Sequence, residues 1–381
     1  MNDNSAAFLS EQEIMIRDSA RKVAAEVVAP TAAERDRTCA WPHHELATVG
    51  NLGFMGMLTP EAYGGSGASF VEYCLVIEEF AAVEAGFATL MHVHNSVGFM
   101  ISRAGTEAQK QQFLPKLASG EHIGAFLLSE PHAGSDTAAF RTTARRDGDH
   151  YVVNGSKQFI SNGSEAGVGL VLTVTDKAAG KNGSSLLIVD ARDPGYKVSR
   201  VEEKLGQRSA HVAQIQLDDC HVPVENILGE EGSGYKRIMA SLSEGRVAIA
   251  AVALGAARAA LDAAVKYAKE REAYGAPIFK LQGVGFDLAD MATQVDVAQQ
   301  YMLYAARLCE AGLPCAKEAS MAKLFASEMA EKVCSDALQI HGGYGYLSDF
   351  PVERYYRDVR VTKIYEGTSH IQKLIISRSL G

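Results

Sequence analysis

FLLSEPHAGSD, residues 126–136, marks the point at which the chain changes from helical to strand periodicity. An apolar strand runs here into a turn that contains Pro131, Gly134 and Ser135. Glycine and serine let the backbone come close to a ligand, and serine hydroxyls can donate hydrogen bonds to it. A strand that ends in a polar turn is more often only a turn, so its meaning depends on the segments around it.

The residues before this stretch are predicted to be helical, because apolar side chains recur at helical spacing over the first 120 residues. Ser10 and Glu13 have the spacing of a capping box. Pro30 is predicted to end this first helix. Two more helices are expected, at about 70–85 and 90–101.

The residues from about 125 to 234 are predicted to form a β region, since short apolar runs alternate there with turn residues. Asn154-Gly155 stands between the apolar runs 151–153 and 158–160 and predicts a two-residue hairpin. Further strands are expected at about 169–175, 186–189 and 213–217.

Long helical runs return beyond residue 234, with Pro277, Pro314 and Pro351 between them. Four helices are predicted, at 236–272, 280–311, 315–340 and 352–380, the last interrupted at Glu366-Gly367. Long helices with short connections pack as an antiparallel bundle. The predicted fold class is therefore α+β, mostly α. It has an N-terminal helical domain (1–124), a middle antiparallel β domain (125–234) and a C-terminal four-helix bundle (235–381).

Composition limits the possible functions. The formal net charge of -9 argues against broad nucleic-acid binding, which needs a basic face. Six cysteines without a C-x-x-C pair indicate a reducing compartment and predict no metal site. The first five residues do not resemble a targeting signal, and we expect no apolar run long enough to span a membrane. The expected location is the cytoplasm.

Four other segments stand out for their chemistry. KQFISNG (157–163) places Phe159 beside Ser161, a pair suited to the face and edge of a planar ring, although a lone phenylalanine is more often core. Further along the chain come REAYG (271–275), QIHGGYGY (339–346) and YEGTSHIQ (365–372).

Taken in order, these segments resemble the acyl-CoA dehydrogenase family over nearly the whole chain. LSEPHAGSD (128–136), the N-G-x-K segment ending at Lys157 and PVERYYRD (351–358) belong to the same resemblance. SLSEGRVAIAA (241–251) and KEASMAK (317–323) resemble the short/branched-chain branch. The resemblance implies the three-part layout predicted above and an FAD cofactor.

The resemblance also implies roles for the matching residues. Those that match flavin-lining positions are Phe126, Leu128, Ser129, Gly134, Ser135, Phe159, Ile160 and Ser161; the family often has tryptophan where Phe159 stands. Those that match positions holding the FAD of a neighbouring subunit, or lying near the dinucleotide, are Arg271, Tyr274, Gln282, Gln339, Gly343, Thr368 and His370. Such sharing implies a homo-oligomer, in this family usually a tetramer.

Glu366 matches the family's catalytic carboxylate. The α C–H of a thioester is a weak acid, so a base must be held in contact with it. Exclusion of water should raise the pKa of such a carboxylate. In the family, the base's own backbone amide and a flavin hydroxyl stabilise the developing enolate, and the β-hydrogen leaves as hydride to the flavin. The plainer alternative is an exposed carboxylate just before a helix capped by Thr368 or Ser369.

Residues that match substrate-side positions are Ser135, Tyr235, Ser243, Glu244, Arg246 and Gly367. Some members carry the base immediately before the arginine that matches Arg246, where this chain has Gly245. Glu244 is expected to be a polar contact to substrate or to Arg246, and Arg246 could also be an ordinary helix-face charge. Gly245 is expected to leave space for a 2-methyl branch.

Two features depart from the family pattern or stay ambiguous. Arg208 to Val212 lacks the family's hydroxyls, which puts cofactor contacts of that loop in doubt. His92 and His94 are predicted to be solvated or core residues rather than ligands, although their helix borders the acyl pocket in the family.

The predicted function is dehydrogenation of a short or short-branched-chain acyl-CoA to its 2-enoyl-CoA. Electrons would pass to electron-transferring flavoprotein, with no nucleic-acid or membrane partner. The alternatives are a related oxidase that uses oxygen and a catalytically silent flavoprotein of the same fold.

Overall fold

The structure, a computed structural model, describes residues 8–381. The first five residues, on which the targeting expectation rests, lie outside the described part. The helices before the sheet are α1 Glu11–Val23, α2 Ala29–Thr38, α3 His43–Asn51, α4 Phe70–Val83, α5 Ala85–Ala104 and α6 Glu107–Ala118.

The capping box at the start of α1 is confirmed. Ser10 Oγ accepts from the backbone N–H of Glu13 at 3.1 Å, and the Ser10 N–H donates to the Glu13 carboxylate at 2.8 Å. The prediction that Pro30 ends this helix is wrong. A π-helical segment, Ala24–Val28, leads directly into α2, and Pro30 occupies the first turn of α2, where its missing N–H costs least.

The middle of the chain forms one curled sheet of mixed direction. Its strands are β1 Ile123–Leu127, β2 Thr143–Asp147, β3 His150–Ser161, β4 Ala166–Val174, β5 Ser184–Asp190, β6 Tyr196–Val201 and β7 Val212–Pro223. The strand order is β1-β4-β2-β3-β7-β6, and β5 pairs with β4. Most pairs are antiparallel as expected, but β1 runs parallel to β4, and β2 also meets β4 in parallel.

The hairpin predicted at Asn154-Gly155 is wrong, because both residues lie inside the long strand β3. The tight turn comes earlier, between the paired residues Asp147 and His150, with Gly148 at φ 62°. Gly155 serves close packing instead: a Cβ there would lie 2.4 Å from Thr142 Oγ1.

The last part of the chain returns to helices. They are α7 Gly234–Glu270, α8 Gln282–Glu310, α9 Ala316–His341, α10 Val352–Val359 and α11 Ser369–Arg378, with a small ribbon, Glu272–Ala273 and Ala276–Pro277, between α7 and α8. The predicted fourth helix is therefore two short ones, separated by a 3₁₀ turn (Arg360–Lys363) and by the segment that carries Glu366.

Helix α7 is the centre of the helical part and packs against α4, α8 and α9 within one apolar core. It is 37 residues long and contains an 18-residue window with a mean hydropathy of 1.7, which would suit a membrane span, so the expectation of no such run was wrong. However, 78% of its apolar window is buried inside the structure. Small residues permit this packing: a Cβ on Gly255 would lie 2.2 Å from the carbonyl oxygen of Glu78 on α4.

Candidate active site

Glu366 lies in a tight turn between α10 and α11 that is held from several sides. Glu366 and Gly367 have consecutive positive φ values of 52° and 90°, a conformation that is uncommon for glutamate and marks a constrained segment. Gln372 Nε2 donates to the carbonyl oxygens of both residues, at 3.0 and 2.8 Å. Lys323 Nζ donates to the Gly367 oxygen at 2.8 Å, and Thr368 caps α11 by accepting from Ile371 N–H.

The Glu366 carboxylate is desolvated and faces two cations. Burial raises its pKa, while the charges of Arg246 and Lys323 offset part of that effect, so that the pKa remains above the ordinary glutamate value of 4.5. Among residues 8–381, neither carboxylate oxygen has a hydrogen-bond donor. This carboxylate is therefore available to accept a proton from a bound molecule.

Gly245 on α7 makes room for that carboxylate. A Cβ at this position would lie 2.9 Å from Glu366 Oε2, closer than side-chain atoms tolerate. The space expected here for a 2-methyl branch is thus filled by the glutamate itself. The backbone N–H of Glu366 also has no acceptor within the described part of the chain, which leaves a donor free in the same turn as the carboxylate.

Glu244 and Arg246, on either side of Gly245 in α7, have different surroundings. Arg246 is buried at 7% exposure, and its Nε has no hydrogen-bond partner among the described residues. Glu244 accepts from Arg103 of α5 at 3.0 Å, and that guanidinium also stacks over the ring of Phe99. The structure therefore pairs one oxygen of Glu244 with α5, while its Oε2 is buried without a hydrogen-bond partner among the described residues. Of the other substrate-side candidates, Ser243 is half-buried, and the Tyr235 hydroxyl lies 3.4 Å from Thr137 Oγ1.

The loop that carries the flavin-lining candidates is organised by Glu130. Its buried carboxylate accepts from the backbone N–H of Arg141 and Thr142 and from the ammonium of Lys157 at 2.9 Å. Burial lowers the pKa of Lys157 to about 8 despite the charge of Glu130. The loop this builds has open positions at Gly134, where a Cβ would meet nothing within 4 Å, and at the exposed Ser135.

Phe159 and Ser161 lie at the end of β3. Phe159 is 68% exposed at φ 59°, so this aromatic ring is presented to solvent rather than used in the core. Ile160 between them is 2% exposed and packs inside the sheet, so only its backbone can contact a ligand. Phe126 and Leu128 are partly buried against the core between α5 and the sheet.

A cavity of about 210 Å³ lies between the end of β3 and the segment that leads to Glu366. Ser161 and Tyr365, the neighbour of Glu366, both line it. The Tyr365 hydroxyl bonds to Thr89 Oγ1 and Gln207 Nε2, each at 3.1 Å. The sequence analysis missed Thr89 and Gln207, and only the YEGTSHIQ motif pointed to Tyr365.

A second cavity, of about 400 Å³, lies at the other candidate cofactor residues. Arg271 lines it and lies over the ring of Tyr344, and Gly343 forms part of its wall with open space around it. Tyr274 is 96% exposed at φ 54°. Gln282, Gln339 and His370 are also exposed, and Thr368 is half-buried at the start of α11.

The ambiguous histidines are structural. His94 Nδ1 accepts from Gly124 N–H, and its Nε2 donates to the carbonyl oxygens of Met55 and Leu117. His92 bonds to the Tyr73 hydroxyl. Burial lowers the pKa of both to about 4, so both are neutral at physiological pH.

The doubtful loop 208–212 also makes internal contacts. His211 bonds to the Glu165 carboxylate at 3.0 Å and to the Cys39 carbonyl, and its ring lies near Trp41. Ser209 donates to the buried carboxylate of Glu84. These side chains therefore hold the sheet against the N-terminal helices.

The residues present fit a flavin dinucleotide. An exposed aromatic ring, an open small-residue loop and a hydroxyl on a cavity wall suit a planar ring system. Exposed glycines beside a guanidinium suit a diphosphate. The two groups of residues lie on different elements, the sheet and the ends of α7 and α9.

Three family models match the chain in succession. The acyl-CoA dehydrogenase N-terminal domain matches residues 10–121, the middle domain 125–220 and the C-terminal domain 232–381. An acyl-CoA dehydrogenase of Bacillus subtilis is 46% identical, over 98% of each chain.

Solved structures agree over the same length. Butyryl-CoA dehydrogenase of Megasphaera elsdenii is 38% identical over 98% of each chain, with a TM-score of 0.95. A chain in the structure of the electron-transferring flavoprotein of Acidaminococcus fermentans is 44% identical, with a TM-score of 0.96; the match covers 100% of this chain and 99% of that one.

Proposed function

This chain belongs to the acyl-CoA dehydrogenase family and is an oxidoreductase, and from that premise we propose that it desaturates a short-chain acyl-CoA with Glu366 as the α-proton base. The observation that carries the proposal is the Glu366 turn. It holds a desolvated carboxylate that has no hydrogen-bond donor among the described residues, and the preceding residue, Tyr365, lines a cavity together with Ser161.

The residues of this turn suit the removal of an α-proton. The raised pKa of Glu366 brings the carboxylate closer to a useful basicity, and its fixed backbone aims it. The free N–H of Glu366 can donate to the thioester carbonyl oxygen, on which negative charge develops as the proton leaves. Arg246 supplies positive charge on the same side of the site.

FAD is the cofactor that the residues would hold. Phe159, Ser161 and the loop at Ser129, Gly134 and Ser135 would contact the ring system, and Arg271 and Gly343 would hold the dinucleotide of a neighbouring subunit. When bound, the flavin supplies the acceptor for the hydride that leaves the β-carbon. The arrangement calls for a homo-oligomer, which we propose to be a tetramer in the cytoplasm.

Electron-transferring flavoprotein is the proposed electron acceptor. The similarity to a chain in the structure of such a flavoprotein supports this partner. Re-oxidation of the reduced enzyme by that flavoprotein should be faster than by air, and fast re-oxidation by oxygen alone would contradict the proposal.

The short chain length is supported by similarity to butyryl-CoA dehydrogenase and by packing on α5. Phe87, Leu90 and Met91 are fully buried and His94 is 1% exposed, so this helix cannot yield space without repacking. A longer acyl chain that displaces such side chains costs about 1–3 kcal/mol, whereas each methylene that fits contributes about 0.8 kcal/mol.

A substrate panel tests the proposal. We expect acyl-CoA to bleach the flavin absorbance under anaerobic conditions, with kcat/KM highest for butyryl-CoA among butyryl-, isobutyryl-, 2-methylbutyryl-, octanoyl- and palmitoyl-CoA. A maximum at octanoyl-CoA or longer would contradict the chain length but not the reaction. Absence of bleaching by every thioester would contradict the reaction itself.

A further inference from the structure

Lys323 is a buried lysine beside the Glu366 turn whose part in the reaction is not covered by the proposed function. It lies on α9 in the segment KEASMAK, with 0% exposure, and its Nζ donates to the Gly367 carbonyl oxygen at 2.8 Å. An ammonium group has three donors and is costly to bury, so such a residue needs a reason beyond filling space.

A single carbonyl contact does not account for this charge. Gln372 Nε2 already donates to the same Gly367 oxygen at 2.8 Å, so the carbonyl would be satisfied by the amide alone. Burial lowers the pKa of Lys323 to about 8, and Glu366 is the strongest of the neighbours that keep it charged, while Arg246 opposes them. The lysine and the candidate base therefore stabilise each other's charged forms.

We propose that Lys323 is a positioning residue of the dehydrogenation: its ammonium holds the Glu366-Gly367 turn through the Gly367 carbonyl oxygen and places a positive charge near the Glu366 carboxylate. The inference rests on the proposed role of Glu366. Two separate effects follow from one group, a geometric effect through the Gly367 oxygen and an electrostatic effect on the carboxylate.

The two effects have different signatures. Loss of the hydrogen bond loosens the turn and lowers kcat more than it changes KM, because the base is misplaced while the remaining substrate contacts persist. Loss of the charge removes an interaction that lowers the pKa of Glu366, so that pKa rises further. The acid limb of the kcat/KM profile then moves to higher pH, since only the ionised base accepts a proton.

Three variants of the FAD-loaded enzyme separate these effects. Lys323→Met keeps the length but loses charge and donor, Lys323→Gln keeps a donor without charge, and Lys323→Arg keeps charge. The matched control is Lys332→Met on the same helix, where the 54% exposed lysine pairs with Asp290 and Asp336.

We expect Lys323→Met to lower kcat about tenfold or more and to shift the acid limb upward, with partial recovery in Lys323→Arg and no change in Lys332→Met. If Lys323→Met does not fold, Lys323→Gln should still shift the acid limb. If Lys323→Met or Lys323→Gln folds and has the same kcat and the same acid limb of the kcat/KM profile as the wild type, the proposal is overturned.

Hydrogen exchange separates this inference from the proposed function. The amides of residues 364–369 should exchange faster in Lys323→Met than in Lys332→Met, whatever substrate the enzyme takes. If none of the acyl-CoA thioesters bleaches the flavin of the wild-type enzyme, the proposed function fails. The exchange comparison still tests whether Lys323 holds the turn. Equal exchange in the two variants would overturn the positioning role.

Discussion

At the residue scale, the chemistry depends on how one carboxylate is surrounded. Glu366 is the side chain that the sequence singled out, and the structure adds the left-handed backbone, the missing Cβ at Gly245 and two cations. Glu244, the other carboxylate considered near the site, is paired with Arg103. One oxygen of Glu244 is therefore held by a cation while its Oε2 has no hydrogen-bond partner, whereas neither oxygen of Glu366 has a hydrogen-bond donor among the described residues.

Replacing Glu366 by glutamine tests that difference. Glu366→Gln should keep the fold and bound flavin but lower kcat by about 10²- to 10⁴-fold, because an amide cannot accept the proton. Glu244→Gln is the matched control and should have a much smaller effect. Stopped-flow flavin reduction measures both, and a larger loss in Glu244→Gln would move the base to α7.

The pH profile of the wild type belongs to the same test. Burial raises the pKa of Glu366 above the ordinary glutamate value of 4.5. As the pH is lowered, kcat/KM should therefore begin to fall at a higher pH than it would with an ordinary glutamate. Glu366→Gln should lack this limb.

At the element scale, the sheet presents its ligand-facing loop through a buried ion pair. Lys157 of β3 donates to Glu130, to the Leu172 carbonyl at 2.8 Å and to the Leu128 carbonyl at 3.3 Å. The pair thereby joins β3, β4 and the loop that leads from β1 to β2. Both side chains are almost fully buried, so removal of either charge leaves the other uncompensated.

Glu130→Gln should therefore destabilise the protein by about 3–5 kcal/mol and weaken flavin retention. Asp218→Asn is the control on the same sheet, where the pair with Lys197 is about half exposed. Its effect should stay below about 1 kcal/mol. Thermal unfolding with and without added FAD measures both variants, and equal midpoints would show that the pair does not organise the loop.

At the scale of the whole molecule, aromatic side chains are exposed on the C-terminal helical part. Tyr274, Phe286 and Tyr346 are 96%, 65% and 84% exposed. Large apolar patches of this kind mark contact surfaces when they are contiguous. Arg271, which lines the larger cavity, belongs to the same part of the chain.

Arg271→Ala should weaken FAD retention and oligomer stability together, because the arginine is expected to reach a neighbour's cofactor. Arg37→Ala, which removes an exposed arginine paired with Glu34 on α2, should change neither. The ratio of flavin to protein after gel filtration and the sedimentation profile test this prediction. If Arg271→Ala keeps both its bound flavin and its oligomeric state, the assignment is contradicted.

The sequence by itself determined the order of helical, sheet and helical parts, the Ser10 cap and the break at Glu366. Periodicity, capping and turn preference depend on residues within a few positions, so they can be recognised without the fold. The family could also be identified from the sequence, because each motif is a short run of neighbouring residues. The motif resemblance also named Glu366.

Local signals failed where distant contacts decide. Asn154-Gly155 is a strong hairpin pair, yet β3 continues through it because β2 and β7 pair on either side. Pro30 does not end the helical run, because the π-helical segment Ala24–Val28 leads into α2 and Pro30 lies in the first turn of α2.

Only the tertiary structure decided the surroundings of Glu366, the proposed base. Lys323 and Gly245 are far from Glu366 along the chain, and α9 and α7 bring them to the same turn. Desolvation and charge depend on everything within a few ångströms in space, and no sequence pattern records that distance. The sequence thus identifies which carboxylate is the candidate base. Its pKa, its orientation and the cationic side chains near it follow from the packing of helices around it.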